Sequence, residues 1–197
     1  MKFFKENSYD IVKLYVNNIG ISIFALMLYF AAGNIAKDSV GIFNLVISIF
    51  SMLFLMSLVY CAGWDMGAKD KIHIDANRMR FDKHKGVKLA LLANIPNFIL
   101  TFFSVSFLLL YIASNVEGFK VVSAIFDAIM RLSMSLYIGV VQSISDNFAL
   151  SSEWSFVLEG AFFLVIPVFV IIATTIGYKF GVNNFRISRI FSKSQDE

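Results

Sequence analysis

Charge in this chain is confined to the gaps between long uncharged apolar runs, and that segregation limits the possible folds more than any motif does. A helix rises about 1.5 Å per residue, so about 20 apolar residues cross the ~30 Å hydrocarbon layer of a bilayer. Four runs have this length: 14–33, 40–64, 87–113 and 156–178. A fifth, 121–144, is long enough but carries Asp127 and Arg131. Composition agrees: 58% of the 197 residues are apolar and only 16% are charged, against about a quarter in soluble proteins. The expected fold class is all-α, a polytopic transmembrane helix bundle forming one integral membrane domain over 1–197. Four spans are favoured, with 121–144 as an interfacial or re-entrant amphipathic helix; five spans are the alternative.

The first run ends in Ala31-Ala32-Gly33, which loosely resembles a signal-peptide cleavage site. Its leading segment, however, is long and carries Glu6 and Asp10, so an uncleaved first span is the better reading. Asn7 or Ser8 is placed to cap a short surface helix leading into that span. Basic residues set the expected orientation, because cytoplasmic flanks of membrane helices are enriched in Lys and Arg. Lys2, Lys5 and Lys13 precede the first span, and seven residues from Lys69 to Lys88 lie between the second and third. Lys179, Arg186, Arg189 and Lys193 fall in the tail, 179–197, after the last span. Lys37 and Lys120 remain for the opposite side. Four spans with both ends in the cytoplasm of a cell-membrane protein satisfy this pattern. A fifth crossing would move the basic tail outside.

Polar residues inside the apolar runs fall on helical faces. Gly41, Asn44, Ser48 and Ser51 share one face of the second span, and Asn94, Asn97, Thr101 and Ser104 one face of the third. Their plain role is helix packing through small and polar side chains; the sharper one is a hydrophilic path. In 121–144, Asp127 and Arg131 are spaced to pair on one turn, and a charge at membrane depth is a candidate functional group. If this helix lies at the surface, the stripe faces water instead. Glu159, early in the last span, is expected to stay wet. Pro96 and Pro167 are expected to kink their helices.

The most information-dense stretch is the expected cytoplasmic loop 65–86, with Asp65, Lys69, Asp70, Lys71, Asp75, Arg78, Arg80, Asp82, Lys83 and Lys85 around Ile72, Ile74, Met79 and Phe81. Its plain role is to fix topology and hold anionic lipid headgroups. A second role is docking a partner, with Asp65, Lys69, Asp70, Lys71, Arg78, Arg80 and Lys83 as contacts and the apolar residues as anchors. A third is holding a divalent metal on aspartates for lipid or isoprenoid phosphate chemistry; a site from His73, Asp75 and His84 is the weakest, because nothing completes its shell. One cysteine and two histidines are too few for a structural zinc site.

No phosphate-binding glycine loop, nucleophile elbow or zinc-protease motif occurs in the sequence. The basic residues track span ends rather than a folded face, so nucleic acid is not an expected partner. The reading is a non-catalytic accessory or permease-like subunit of a transport or envelope assembly. It would reside in the lipid bilayer, dock a protein partner through 65–86 and need no cofactor. A small lipid-phosphate enzyme and a small channel or carrier are the alternatives. Oligomeric state is left open.

Overall fold

In the computed structural model, residues 2–35, 40–148 and 152–185 are described, and all their regular structure is helical. The helices are α1 (Lys2–Glu6), α2 (Ser8–Ile35), α3 (Val40–Asp75), α4 (Lys85–Ser114), α5 (Glu117–Ser133), α6 (Ile138–Ser145), α7 (Ser152–Val165) and α8 (Pro167–Val182). A 3-10 turn, Ser135–Tyr137, joins α5 to α6. Four stretches are long and apolar enough to cross a membrane: Ser8–Ala32, Gly41–Asp75, Lys85–Ser114 and Glu153–Val182. The expected all-α bundle is therefore the observed one. The ambiguous segment is a bent pair, α5 and the helical stretch Ser135–Ser145, turned by 83°, the geometry of a re-entrant loop or a broken fifth span. Lys37, Arg186, Arg189 and Lys193, on which part of the orientation argument rests, lie outside the described residues.

The two prolines sit differently in their helices. Pro167 separates α7 from α8 and opens the latter, where a missing N–H costs nothing. Pro96 sits inside α4, which continues through it without a break. The expected loop 65–86 also needs correction. Helix α3 continues to Asp75 and α4 begins at Lys85, so only 76–84 is non-helical. A helix already formed extends at the cost of one residue's freedom per added bond, and the Asp65–Lys69 ion pair one turn apart (2.9 Å) reinforces it.

Three asparagines with positive φ follow helix ends: Asn77 (55°), Asn115 (56°) and Asn184 (53°). After α3, Arg78 N–H donates to the His73 carbonyl and Asn77 N–H to Ile74, the paired bonds of a Schellman cap. After α8, Phe185 N–H donates to Phe180 and Asn184 N–H to Gly181. The Phe180 and Phe185 rings meet at 5.1 Å between centroids, the apolar contact that accompanies such a cap.

The chain forms two compact units. One gathers the residues up to Leu14, Met56–Ala93 and the residues from Phe169. Here α3 and α8 touch backbone to backbone. Gly63 and Gly67, one turn apart, face the carbonyls of Thr174 and Tyr178, while Gly177 and Gly181 face those of Tyr60 and Trp64. A Cβ at any of the four would overlap a carbonyl oxygen, so each strand of the crossing needs its Gly-x-x-x-Gly pair.

The other unit gathers Tyr15–Leu55 and Asn94–Val168. It holds the bent pair through hydroxyls. Ser22 Oγ donates to the Ser133 carbonyl (2.7 Å), Ser135 Oγ donates to the Ser22 carbonyl, and Gly139 N–H donates to Ser48 Oγ (2.8 Å). Helix α5 packs on α4 through stacked phenylalanines, Phe126 against Phe103 (5.4 Å) and Phe107 (6.0 Å). Large apolar side chains such as Phe30, Ile42, Met27, Phe102 and Phe54 are exposed, as lipid-facing positions are.

Gly67→Leu and Gly181→Leu are expected to abolish the monodisperse species on size exclusion in mild detergent. Gly20→Ala, where a methyl meets nothing within 4 Å, is expected to retain it and to gain up to about 1 kcal/mol from helix propensity.

Candidate functional site

The first cluster closes the non-helical segment of the first unit. Asp70 lies on the last turns of α3, is buried, and has both carboxylate oxygens engaged. Lys85 Nζ, at the start of α4, stands 2.9 Å from Oδ1 and 2.8 Å from Oδ2. Tyr178 Oη on α8 donates to Oδ2 at 2.7 Å. Gly86 lets the Tyr178 ring lie against the α4 backbone, since a Cβ there would press on it. One carboxylate thus ties three helices.

Around this clamp, Asp65 accepts from Lys69 (2.9 Å) and meets Lys13 at 3.7 Å. Lys71 is half-buried, whereas Arg78, Arg80 and Lys83 are exposed. Ile72 is 69% exposed and Phe81 53%, high values for apolar groups beside charges. Asp82 accepts from Lys88 Nζ (2.7 Å) and from the His84 backbone N–H (2.9 Å). These bonds, the lysine first, hold its carboxyl below the usual aspartate range. Its folded value is depressed, so its contribution is present above pH of about 4, the unfolded value, and is lost as pH falls through the folded one. Of the aspartates expected to share a metal, Asp70 is taken up by Lys85 and Tyr178, Asp65 by Lys69 and Asp82 by Lys88. Among the described residues no group of three His, Cys, Asp or Glu is placed to hold a metal ion.

The second cluster lies in the other unit. Arg131 bridges two carboxylates: Nε to Asp127 Oδ2 at 2.7 Å and a terminal nitrogen to Glu159 Oε2 at 2.6 Å. Its guanidinium also stands 5.6 Å from the Phe156 ring centroid. The Glu159 side chain, expected to stay wet, is only 12% exposed, and that of Arg131 21%. The polar stripe of α5 is partly covered by protein: buried Ser123 donates through Oγ to the Ser104 carbonyl (2.9 Å), whereas Lys120 is exposed with its Nζ 5.1 Å over the Tyr111 ring. A cavity of about 280 Å³ opens between these α4 and α5 residues and the first turns of α7, with Asp127 and Glu153 on its wall.

Among the other expected residues, Asn44 presents its backbone carbonyl to Gly139. Asn94 and Asn97 are buried on α4. The Asn97 amide finds no hydrogen-bond partner among the described residues, while its backbone carbonyl accepts from Thr101 Oγ1 (2.9 Å).

Sequence reasoning passed over the two Gly-x-x-x-Gly pairs, which were visible as Gly63–Gly67 and Gly177–Gly181. It also missed Tyr178 and the join of Glu159 to Arg131, both long-range contacts with no local signal. Comparison with protein-family models, curated proteins and solved structures found no match.

Asp70→Asn and Lys85→Met are each expected to lower unfolding stability in detergent by about 3–5 kcal/mol, because either leaves a buried charge or acceptor without its partner. The double variant is expected to cost clearly less than the sum, a coupling that a double-mutant cycle measures. Asp82→Asn is expected to flatten the fall in thermal midpoint between about pH 5 and 3.

Proposed function

We propose that this chain is a non-catalytic accessory or permease-like subunit of a transport or envelope assembly in the cell membrane, with both ends in the cytoplasm. It engages a protein partner through residues 65–86. The observation that carries the reading is how helix α3 and its buried clamp hold this segment. The candidate span Gly41–Asp75 has 35 residues, about 52 Å of helix at 1.5 Å per residue, against ~30 Å of hydrocarbon. Its charges all lie at the Asp75 end, so the excess length projects there.

The Asp70 clamp and the Schellman cap at Asn77 then fix the direction in which the chain leaves the helix. On this support, Ile72 and Phe81 stand exposed among Arg78, Arg80 and Lys83. Preordered apolar anchors ringed by basic side chains suit an acidic protein surface, since little entropy is lost on binding and charge speeds the encounter. A purely solvated topology loop has no need of a buried clamp.

A photo-crosslinking residue at position 72 or 81 is expected to trap one and the same protein in native membranes. Arg78→Glu with Arg80→Glu is expected to abolish that product, and a probe at Asn183 is expected not to give it. Products formed only with lipid would defeat the docking reading and leave a headgroup-holding surface. For orientation, Asn147→Cys in a Cys61→Ser background is expected to react with an impermeant maleimide from outside intact cells; labelling only after the cytoplasmic face is opened would overturn the four-span arrangement.

A further inference from the structure

The cavity beside Arg131 is not used by the docking reading and stands on separate observations. Arg131 is shared by Asp127 and Glu159, so that group of three carries one excess negative charge. Glu153 adds a further carboxylate to the cavity wall and Lys120 one ammonium. Asp127, Glu153 and Lys120 line the partly enclosed space itself, while Arg131 and Glu159 stand behind Asp127, so the group as a whole keeps one excess negative charge that attracts a mobile countercharge.

The rest of the wall is mainly apolar, with Val105, Leu108 and Phe156 beside Ser104, Tyr111 and Ser123. At about 280 Å³, the space accepts a molecule of roughly ten heavy atoms, given about 30 Å³ for each water-sized group. The aromatic faces distinguish between classes of cation. Phe156 already carries the Arg131 guanidinium and Tyr111 the Lys120 ammonium. An aromatic cage for a quaternary ammonium is thus occupied, whereas a primary ammonium needs only hydrogen-bond acceptors.

We propose that this cavity binds the primary ammonium group of an amphiphile. Glu153 and Asp127 accept its N–H groups, and its apolar part lies along Val105, Leu108 and Phe156. Such an ammonium arrives either on a free alkylamine or on the headgroup of phosphatidylethanolamine.

The test uses the full chain in a nonionic detergent, with thermal unfolding as the readout and hexylamine, hexanol, hexanoate, phosphatidylethanolamine and phosphatidylglycerol as separate additions. Hexylamine, phosphatidylethanolamine or both are expected to raise the midpoint saturably, and which of them does so identifies the source. Glu153→Gln changes an exposed residue and is expected to fold normally while weakening the apparent affinity by roughly ten- to a hundredfold, the loss expected for a charge-assisted hydrogen bond. Ala124→Phe, which fills the cavity, is expected to abolish the response. Equal stabilisation by hexanol or phosphatidylglycerol would overturn the proposal. So would an unchanged response in Glu153→Gln, or no response to either ammonium compound.

Discussion

Helices in lipid gain nothing from hiding apolar surface, because the surrounding chains are as apolar as they are. Close approach has to supply the attraction, and in the first unit it comes from four glycines. With Gly63 and Gly67 against α8, and Gly177 and Gly181 against α3, each backbone meets the carbonyls of the other. This crossing also fixes the residue beside it. The Tyr178 carbonyl faces Gly67, its ring faces Gly86, and its hydroxyl reaches Asp70, which in turn holds Lys85. A side chain at Gly67 would push Tyr178 away, release Asp70 and free the start of α4. The order of residues 70–85 therefore depends on a contact between backbones.

The second unit meets the same constraint by different means. A turn of 83° interrupts the helical hydrogen-bond ladder, and a lipid environment offers no replacement partners. Serines supply them: Ser22 and Ser135 exchange bonds with carbonyls across the break, and Ser48 accepts from Gly139 while also bonding to Tyr29. Gly139 lets the Asn44 carbonyl approach, so a single small residue again permits the contact. Hydroxyls suit this task because each both donates and accepts while occupying little space.

Span positions were legible because hydrophobic length is a one-dimensional property, read directly from runs such as 87–113. The Asp127–Arg131 pair was legible for a similar reason, as helical spacing fixes it locally. Glu159 was not, because its place beside Arg131 is set by how α7 packs on α5, a contact between residues far apart in the chain. The segment 65–86 was misread as loop because its charge pattern resembles a solvated linker. The helix persists to Asp75 through the Asp65–Lys69 pair and the Asp70 clamp, and Tyr178, one half of that clamp, lies over a hundred residues away. The asparagine caps were visible as residue types but not as conformations, since asparagine adopts positive φ only where the flanking bonds require it.

The two charged clusters differ in a way that bears on their roles. Asp70 has one cation and one neutral donor, so its charge is balanced and its oxygens are filled. Such a site holds helices together and has little left to offer another molecule. Arg131 has two carboxylates and a ring, and a cavity opens at its side. A purely structural cluster would be cheaper with one carboxylate, because the second must be desolvated without a full countercharge. Asp127, one of the two carboxylates, lies on the wall of that cavity. The first cluster is thus balanced, whereas the second keeps an excess carboxylate beside the cavity, and the proposed ammonium site rests on that difference.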